Sequence, residues 1–216
     1  MNNECYCCEK PGIGQGDHVP PRKLFASGTF SSSPPIIVPS CLKHNQSLSQ
    51  ADEYLKLILT ASTAGVPQGV RDSTIRSIVR NTKNPNANLT RYGIRRTEGG
   101  LKVSSTFPVD AVLLEDALSK VARGIYYHHY RGAKKLIGEV SVFPIFLGVA
   151  TDAPIEARRD LQHLEAIVAE CLEVDEIHGD HPDVFSYQVL ETTATITVNM
   201  VFYRTHIASV IKTLFA

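Results

Sequence analysis

Four of the five cysteines in this 216-residue chain fall in its first 41 positions: Cys5, Cys7, Cys8 and Cys41. Cys5-Tyr6-Cys7-Cys8 contains a pair spaced Cys-x-x-Cys, and Cys41-Leu42-Lys43-His44 repeats the spacing with an imidazole in the last place. Two intervening residues let both donors of a pair reach one ion from a tight knuckle. Three thiolates and one imidazole make a closed tetrahedral set of the structural Zn²⁺ kind. Cys7 competes with Cys8, but Cys-x-Cys is the less usual spacing, and Cys7 reads as a spare. In a reducing compartment clustered cysteines point to metal before disulfide. A zinc-held stretch of about 45 residues with few large apolar side chains also needs the metal to fold. The bland alternative, small buried thiols beside a solvent-facing histidine, fits poorly with two matched pairs bracketing one loop.

Between the pairs runs Gly14-Gln15-Gly16-Asp17-His18-Val19-Pro20-Pro21, and Asn45 directly follows the second pair. Neighbouring side chains on an extended segment point to opposite faces, so Asp17 and His18 would serve different parts of a site. Leu48, Ala51, Leu55, Ile58 and Leu59 recur at helical spacing, which predicts a helix beginning close to the second pair. Leu24 and Phe25 are expected to pack under the resulting hairpin. Asp52 and Glu53 read as a solvated helix face rather than as part of the site.

In this order Cys-x-x-Cys, Asp-His-Val-Pro-Pro and Pro-Ser-Cys-x-x-His-Asn resemble the HNH nucleases, whose fold is the ββα-metal finger. The closer resemblance is to the variant in which an asparagine follows the last zinc ligand, as in phage resolvases that cut branched DNA. It covers roughly residues 5–59 and departs in one place, since His44 stands where the family usually has a fourth cysteine. The resemblance implies a structural zinc on Cys5, Cys8, Cys41 and His44. It also implies one catalytic Mg²⁺ or Mn²⁺ on Asp17 and Asn45, with His18 as general base. The chemistry of these groups agrees: carboxylate and amide oxygens suit a hard cation that polarises a phosphate, and imidazole titrates near neutrality.

The rest of the chain is expected to be an α+β region with a small, mainly antiparallel sheet, residues 63–216, after an N-terminal module at 1–62. Val70, Ile75, Ile78 and Val79 predict a short helix that also carries Arg71, Arg76 and Arg80, and Asn81–Asn88 reads as a loop. Arg91, Arg95 and Arg96 surround Tyr92 before a Gly-Gly turn. These six arginines make a candidate path for a nucleic-acid backbone, against the even alternative of ordinary basic surface. Pro108–Arg131 predicts a helix on the stripe Val112, Leu114, Leu118, Val121 and Ile125, ending in Tyr-Tyr-His-His-Tyr. Adjacent histidines on a helix diverge, so His128 and His129 read as packing and surface. Glu139–Phe146 reads as a strand, and Ile155–Leu172 as an amphipathic helix with Cys171 in the core. Phe185–Leu190 and Ala194–Tyr203 alternate and predict a hairpin. Ile207–Phe215 fits helix or strand equally, and His178-Gly-Asp-His181 reads as a polar loop.

Lysine plus arginine and aspartate plus glutamate both number 22, yet the charge is segregated. Residues 1–62 hold 5 basic and 5 acidic side chains, residues 63–138 hold 13 and 5, and residues 139–216 hold 4 and 12. The middle segment alone therefore supplies a footprint for a polyanion. An apolar fraction of 43% and a mean hydropathy of −0.06 describe an ordinary globular chain and exclude a disordered or collagenous one. No apolar stretch is long enough to span a bilayer and no secretory signal pattern opens the sequence, so a cytoplasmic protein is expected. Two functional classes follow. One is a metal-dependent endonuclease acting on DNA, with RNA left open, and with a homodimer implied if two strands are cut together. The other is a zinc-finger module that binds nucleic acid without cutting it.

Overall fold

The computed structural model describes residues 4–13, 16–31, 33–46, 49–62, 65–84, 89–103, 108–148 and 154–214. Its first strands are two residues long: β1 (Asp17–His18) pairs antiparallel with β2 (Ile37–Val38), Asp17 facing Val38 and His18 facing Ile37. Gly16 leads into β1 with φ +77°, and a Cβ there would lie 2.7 Å from Ile37 Cγ2 and 2.8 Å from the Val38 carbonyl oxygen. Only glycine combines that backbone with so close an approach. A 3-10 turn at Arg22–Leu24 follows β1 and buries Leu24 completely, while Phe25 packs half-buried against the core.

After β2 come α1 (Leu42–Gln46), α2 (Ser49–Ser62) and α3 (Gln68–Lys83). Asn45 thus sits inside a short helix of its own, before the predicted one begins; Leu48 lies outside the described residues. Ala51, Tyr54, Leu55, Ile58 and Leu59 carry the buried stripe of α2. Helix α3 runs on through Asn81–Lys83, where a loop was expected. The Arg96 guanidinium donates to the carbonyls of Thr82 (2.6 Å) and Asn84 (2.8 Å), satisfying acceptors that a helix end leaves open. A hairpin of β3 (Ile94–Thr97) and β4 (Gly100–Val103) turns at Glu98-Gly99.

Helix α4 (Ala111–His129) is capped by Asp110, whose carboxylate accepts from the Leu113 amide at 3.2 Å. Its buried stripe begins at Leu114, two residues later than expected, because Val112 is 67% exposed. The final elements are β5 (Ser141–Phe143), α5 (Ile155–Val174), β6 (His178–His181), β7 (Phe185–Glu191), β8 (Thr195–Phe202) and β9 (His206–Thr213). They form a five-stranded antiparallel sheet ordered β5-β9-β8-β7-β6, so the described elements make an α+β arrangement. Of the ambiguous C-terminal segment, Ile207–Thr213 is strand, paired with β8 throughout, and Phe215 lies outside the described residues. His178–His181 is an edge strand rather than a loop. Cys171 is only half-buried, and Val168 is the one buried residue of α5.

Helix α4 packs on α2, on β2 and on the sheet, and one continuous core runs from Cys5 and Tyr6 to Val210 across the expected 62/63 boundary. The approach is closest at Gly124, where a Cβ would lie 2.5 Å from Cγ2 of the buried Val19. Val19 is branched and enclosed, so it has nowhere to move. Gly124→Ala should therefore lower stability by about 1–3 kcal/mol despite alanine's better helix propensity. Urea unfolding would read this as a lower midpoint at constant slope; an unchanged or raised midpoint would show that the contact can relax.

Candidate functional site

The two knuckles meet. Donor atoms of Cys5, Cys8, Cys41 and His44 all lie within 4.8 Å of one another. His44 Nδ1 stands 3.2 Å from Cys41 Sγ, 3.3 Å from Cys5 Sγ and 3.5 Å from Cys8 Sγ, and Cys8 and Cys41 Sγ are 3.8 Å apart. Donors at zinc distances on a tetrahedron would be about 3.5–3.8 Å apart. The four residues thus form a cluster able to hold a structural metal such as zinc. Backbone bonds shape it: the amide of Tyr6 donates to the Pro39 carbonyl, that of Ile13 to Ser40, and that of Asn45 to Cys41. Cys7 is outside the cluster, and burial pushes its thiol up to about 12, so it stays protonated. For Cys41, burial opposes ionisation, but the His44 amide and the Cys8 and Cys5 thiols outweigh it and hold the thiol below its ordinary value. Burial, then Lys43 and Arg123, keeps His44 below its ordinary value and hence neutral, the form that ligates.

Asn45, on α1, reaches across to β1: its Nδ2 donates to the Gly16 carbonyl at 3.3 Å, next to Asp17 although 29 positions away. Asp17 is buried and His18 half-buried, as opposite faces of a strand require. Burial, then the Arg22 guanidinium, lowers the His18 pKa against the pull of Asp17, favouring the neutral imidazole that can accept a proton.

Around Asp17 lies a buried group that sequence reasoning missed. Asp17 Oδ2 accepts from the Tyr6 hydroxyl at 3.0 Å and faces Lys120 Nζ at 3.1 Å. The same ammonium, on a side chain 1% exposed, donates to Asp52 Oδ2 at 2.7 Å. Asp52 is therefore no part of a solvated face. Its Oδ1 is buried without a hydrogen-bond partner among the described residues. Burial raises the Asp52 pKa, Lys120 opposes, and Asp17 adds to the rise. One signal for Lys120 was present: it lies three residues after Ala117 and four before Gly124, a row of small residues on the buried side of α4 that leaves room for a long side chain.

The predicted arginines divide. Arg76 and Arg80 are exposed on α3 and Arg71 is half-buried there; Arg95 and Arg96 are exposed on β3, with Arg96 holding the α3 terminus. The Arg91 side chain lies outside the described residues. His129 and His178 rings meet at 4.9 Å, but among the described residues only the Cys5, Cys8, Cys41 and His44 group has metal-ligand geometry with three or more donors.

The chain matches no protein family model, no curated protein and no solved structure. Among the described residues no helix is long and apolar enough to cross a membrane.

The purified chain should carry one zinc by elemental analysis and release it on mild acidification, as thiolates and imidazole protonate. Cys41→Ser should lose the metal and the N-terminal fold, and zinc content equal to wild type would refute the ligand set. Lys120→Met would leave two buried carboxylates facing each other and should cost about 3–5 kcal/mol. Denaturant titration checks this, and a cost below about 1 kcal/mol, a surface-pair magnitude, would show that the ammonium is not structural.

Proposed function

We propose that the chain is a metal-dependent endonuclease of the HNH type, hydrolysing phosphodiester bonds in DNA. The observation that carries this reading is the bond from Asn45 to Gly16. It sets Asn45 beside the residue that precedes Asp17 and His18, which supports a site built from these three near the Cys₃His cluster. Asp17 and Asn45 would hold one Mg²⁺ or Mn²⁺, with zinc in the cluster. Tyr6 and Lys120 both meet Asp17 at Oδ2. The cation would polarise a phosphoryl oxygen and stabilise the leaving oxygen. His18 would take the proton of an attacking water, a role its lowered pKa favours. Exposed Arg76, Arg80 and Arg95 are suited to the substrate backbone.

A specific observation favours the second reading, a zinc-held module that binds nucleic acid without cutting it. The Lys120 ammonium sits 3.1 Å from the carboxylate that would ligate the catalytic ion, and so supplies positive charge there already.

The two readings part on supercoiled plasmid. The nuclease reading expects nicked or linear product with Mg²⁺ or Mn²⁺, none with EDTA, and a loss of about 10²–10⁴-fold in His18→Ala with its zinc retained. Asp17→Asn and Asn45→Ala should fail similarly. Salt-sensitive DNA binding with no metal-dependent cleavage would establish the binding module instead.

A further inference from the structure

A cleft of about 370 Å³ opens between α2 and α3. Its lining combines the aromatic and aliphatic walls Tyr92, Leu57 and Ile78 with Ser77, Asn81 and two lysines, Lys23 and Lys56. That size suits a small organic molecule and far exceeds a bare ion.

Lys56 sets the chemistry. The residue is only 6% exposed, and its Nζ donates to the Ser73 hydroxyl at 2.6 Å. Among the described residues no carboxylate lies within ion-pair distance of it. The one acid lining the cleft, Glu53, is paired at 2.6 Å with Lys23 near the mouth. A buried ammonium with a neutral partner lacks the counter-charge that normally accompanies burial. Burial lowers the Lys56 pKa; Glu53 opposes it, and Lys23 and Arg76 add to the fall. An anion in the cleft would supply the missing charge. The ring of Tyr92, half-buried and fixed by a 2.6 Å bond from Asn81 Nδ2 to its hydroxyl, offers a flat face to a planar group.

We propose that the α2–α3 cleft binds a terminal phosphate carried on a nucleoside, with Lys56 neutralising the phosphate and Tyr92 and Ile78 holding the base. The proposal is independent of the nuclease reading, since none of its residues belongs to the group around Asp17, His18 and Asn45.

Calorimetric titration of the full chain tests it with four probes: AMP, a 5′-phosphorylated pentanucleotide, adenosine and inorganic phosphate. AMP or the pentanucleotide should bind, with adenosine and inorganic phosphate each weaker by about tenfold or more. Their ranking distinguishes a free nucleotide from the end of a strand. Lys56→Met should weaken the phosphorylated probe by about tenfold or more while raising the melting temperature without ligand, because it removes an uncompensated buried charge. Ser77→Phe, which fills the cleft and leaves Lys56 in place, should abolish binding in a folded protein. Failure of both phosphorylated probes to bind, equal binding of adenosine, equal binding of inorganic phosphate, or unchanged affinity in Lys56→Met would overturn the proposal, whatever the plasmid assay shows.

Discussion

Everything about the Asp17 strand depends on one ammonium held between two carboxylates. Lys120 comes from the middle of α4, Asp17 from β1 and Asp52 from the first turn of α2, so the contact ties three elements that are far apart in sequence. Desolvating three charges is expensive, and such groups persist only when hydrogen bonds meet most of their needs. The Tyr6 hydroxyl meets one of them at Asp17, and burial keeps that phenol protonated and donating. The group carries one more acid than base. That excess agrees with the raised pKa of Asp52, whose unbonded oxygen is where a proton or a second cation would be accommodated. Proximity of a lysine to the site is thus also a constraint on its chemistry, because the charge near Asp17 is already partly balanced.

The N-terminal segment is consequently no free-standing finger. Its Cys₃His cluster joins the knuckles, but its apolar side chains find their partners elsewhere. Val19 is pressed against Gly124, the Tyr203 hydroxyl donates to the Leu24 carbonyl at 2.7 Å, and Lys135 reaches both Glu4 (2.8 Å) and the Cys8 carbonyl (3.1 Å). His181, on the sheet's edge, meets the rings of Phe25 and Phe30. Helix α4 therefore acts as a central beam, with the hairpin and α2 on one side and the sheet on the other. Tertiary contact of this kind, more than helix propensity, is what stabilises its long apolar stripe.

Periodicity made the main elements legible. The stripes of α2 and α4 and the alternation of β7 and β8 were clear because each repeats over several turns or pleats. The knuckles were legible because metal ligation imposes a spacing. What stayed hidden depended on partners remote in sequence. Asp52 looks solvated until Lys120, 68 positions on, is brought to it. His178–His181 has a loop's composition, and only pairing with Phe185 and Tyr187 makes it a strand. Cys171 sits on an amphipathic pattern, but the pattern cannot say how deeply α5 is laid on the sheet. The C-terminal segment was ambiguous because a short apolar run fits either period, and the open edge of β8 decided it.

The sheet's margins also bear on how the protein behaves at high concentration. Its central strands are seven and eight residues long, but β5 on one margin has three, and β6 on the other has four with an irregular register. At Gly179 in β6 the backbone has φ +141° and comes so near β7 that a Cβ would lie 2.8 Å from the Phe185 carbonyl oxygen. A short, kinked border gives a neighbouring chain few aligned amides and carbonyls with which to extend the sheet. The polar, poorly alternating sequence His-Gly-Asp-His is thus well suited to a terminating strand, and it guards a strongly apolar sheet against edge-to-edge aggregation.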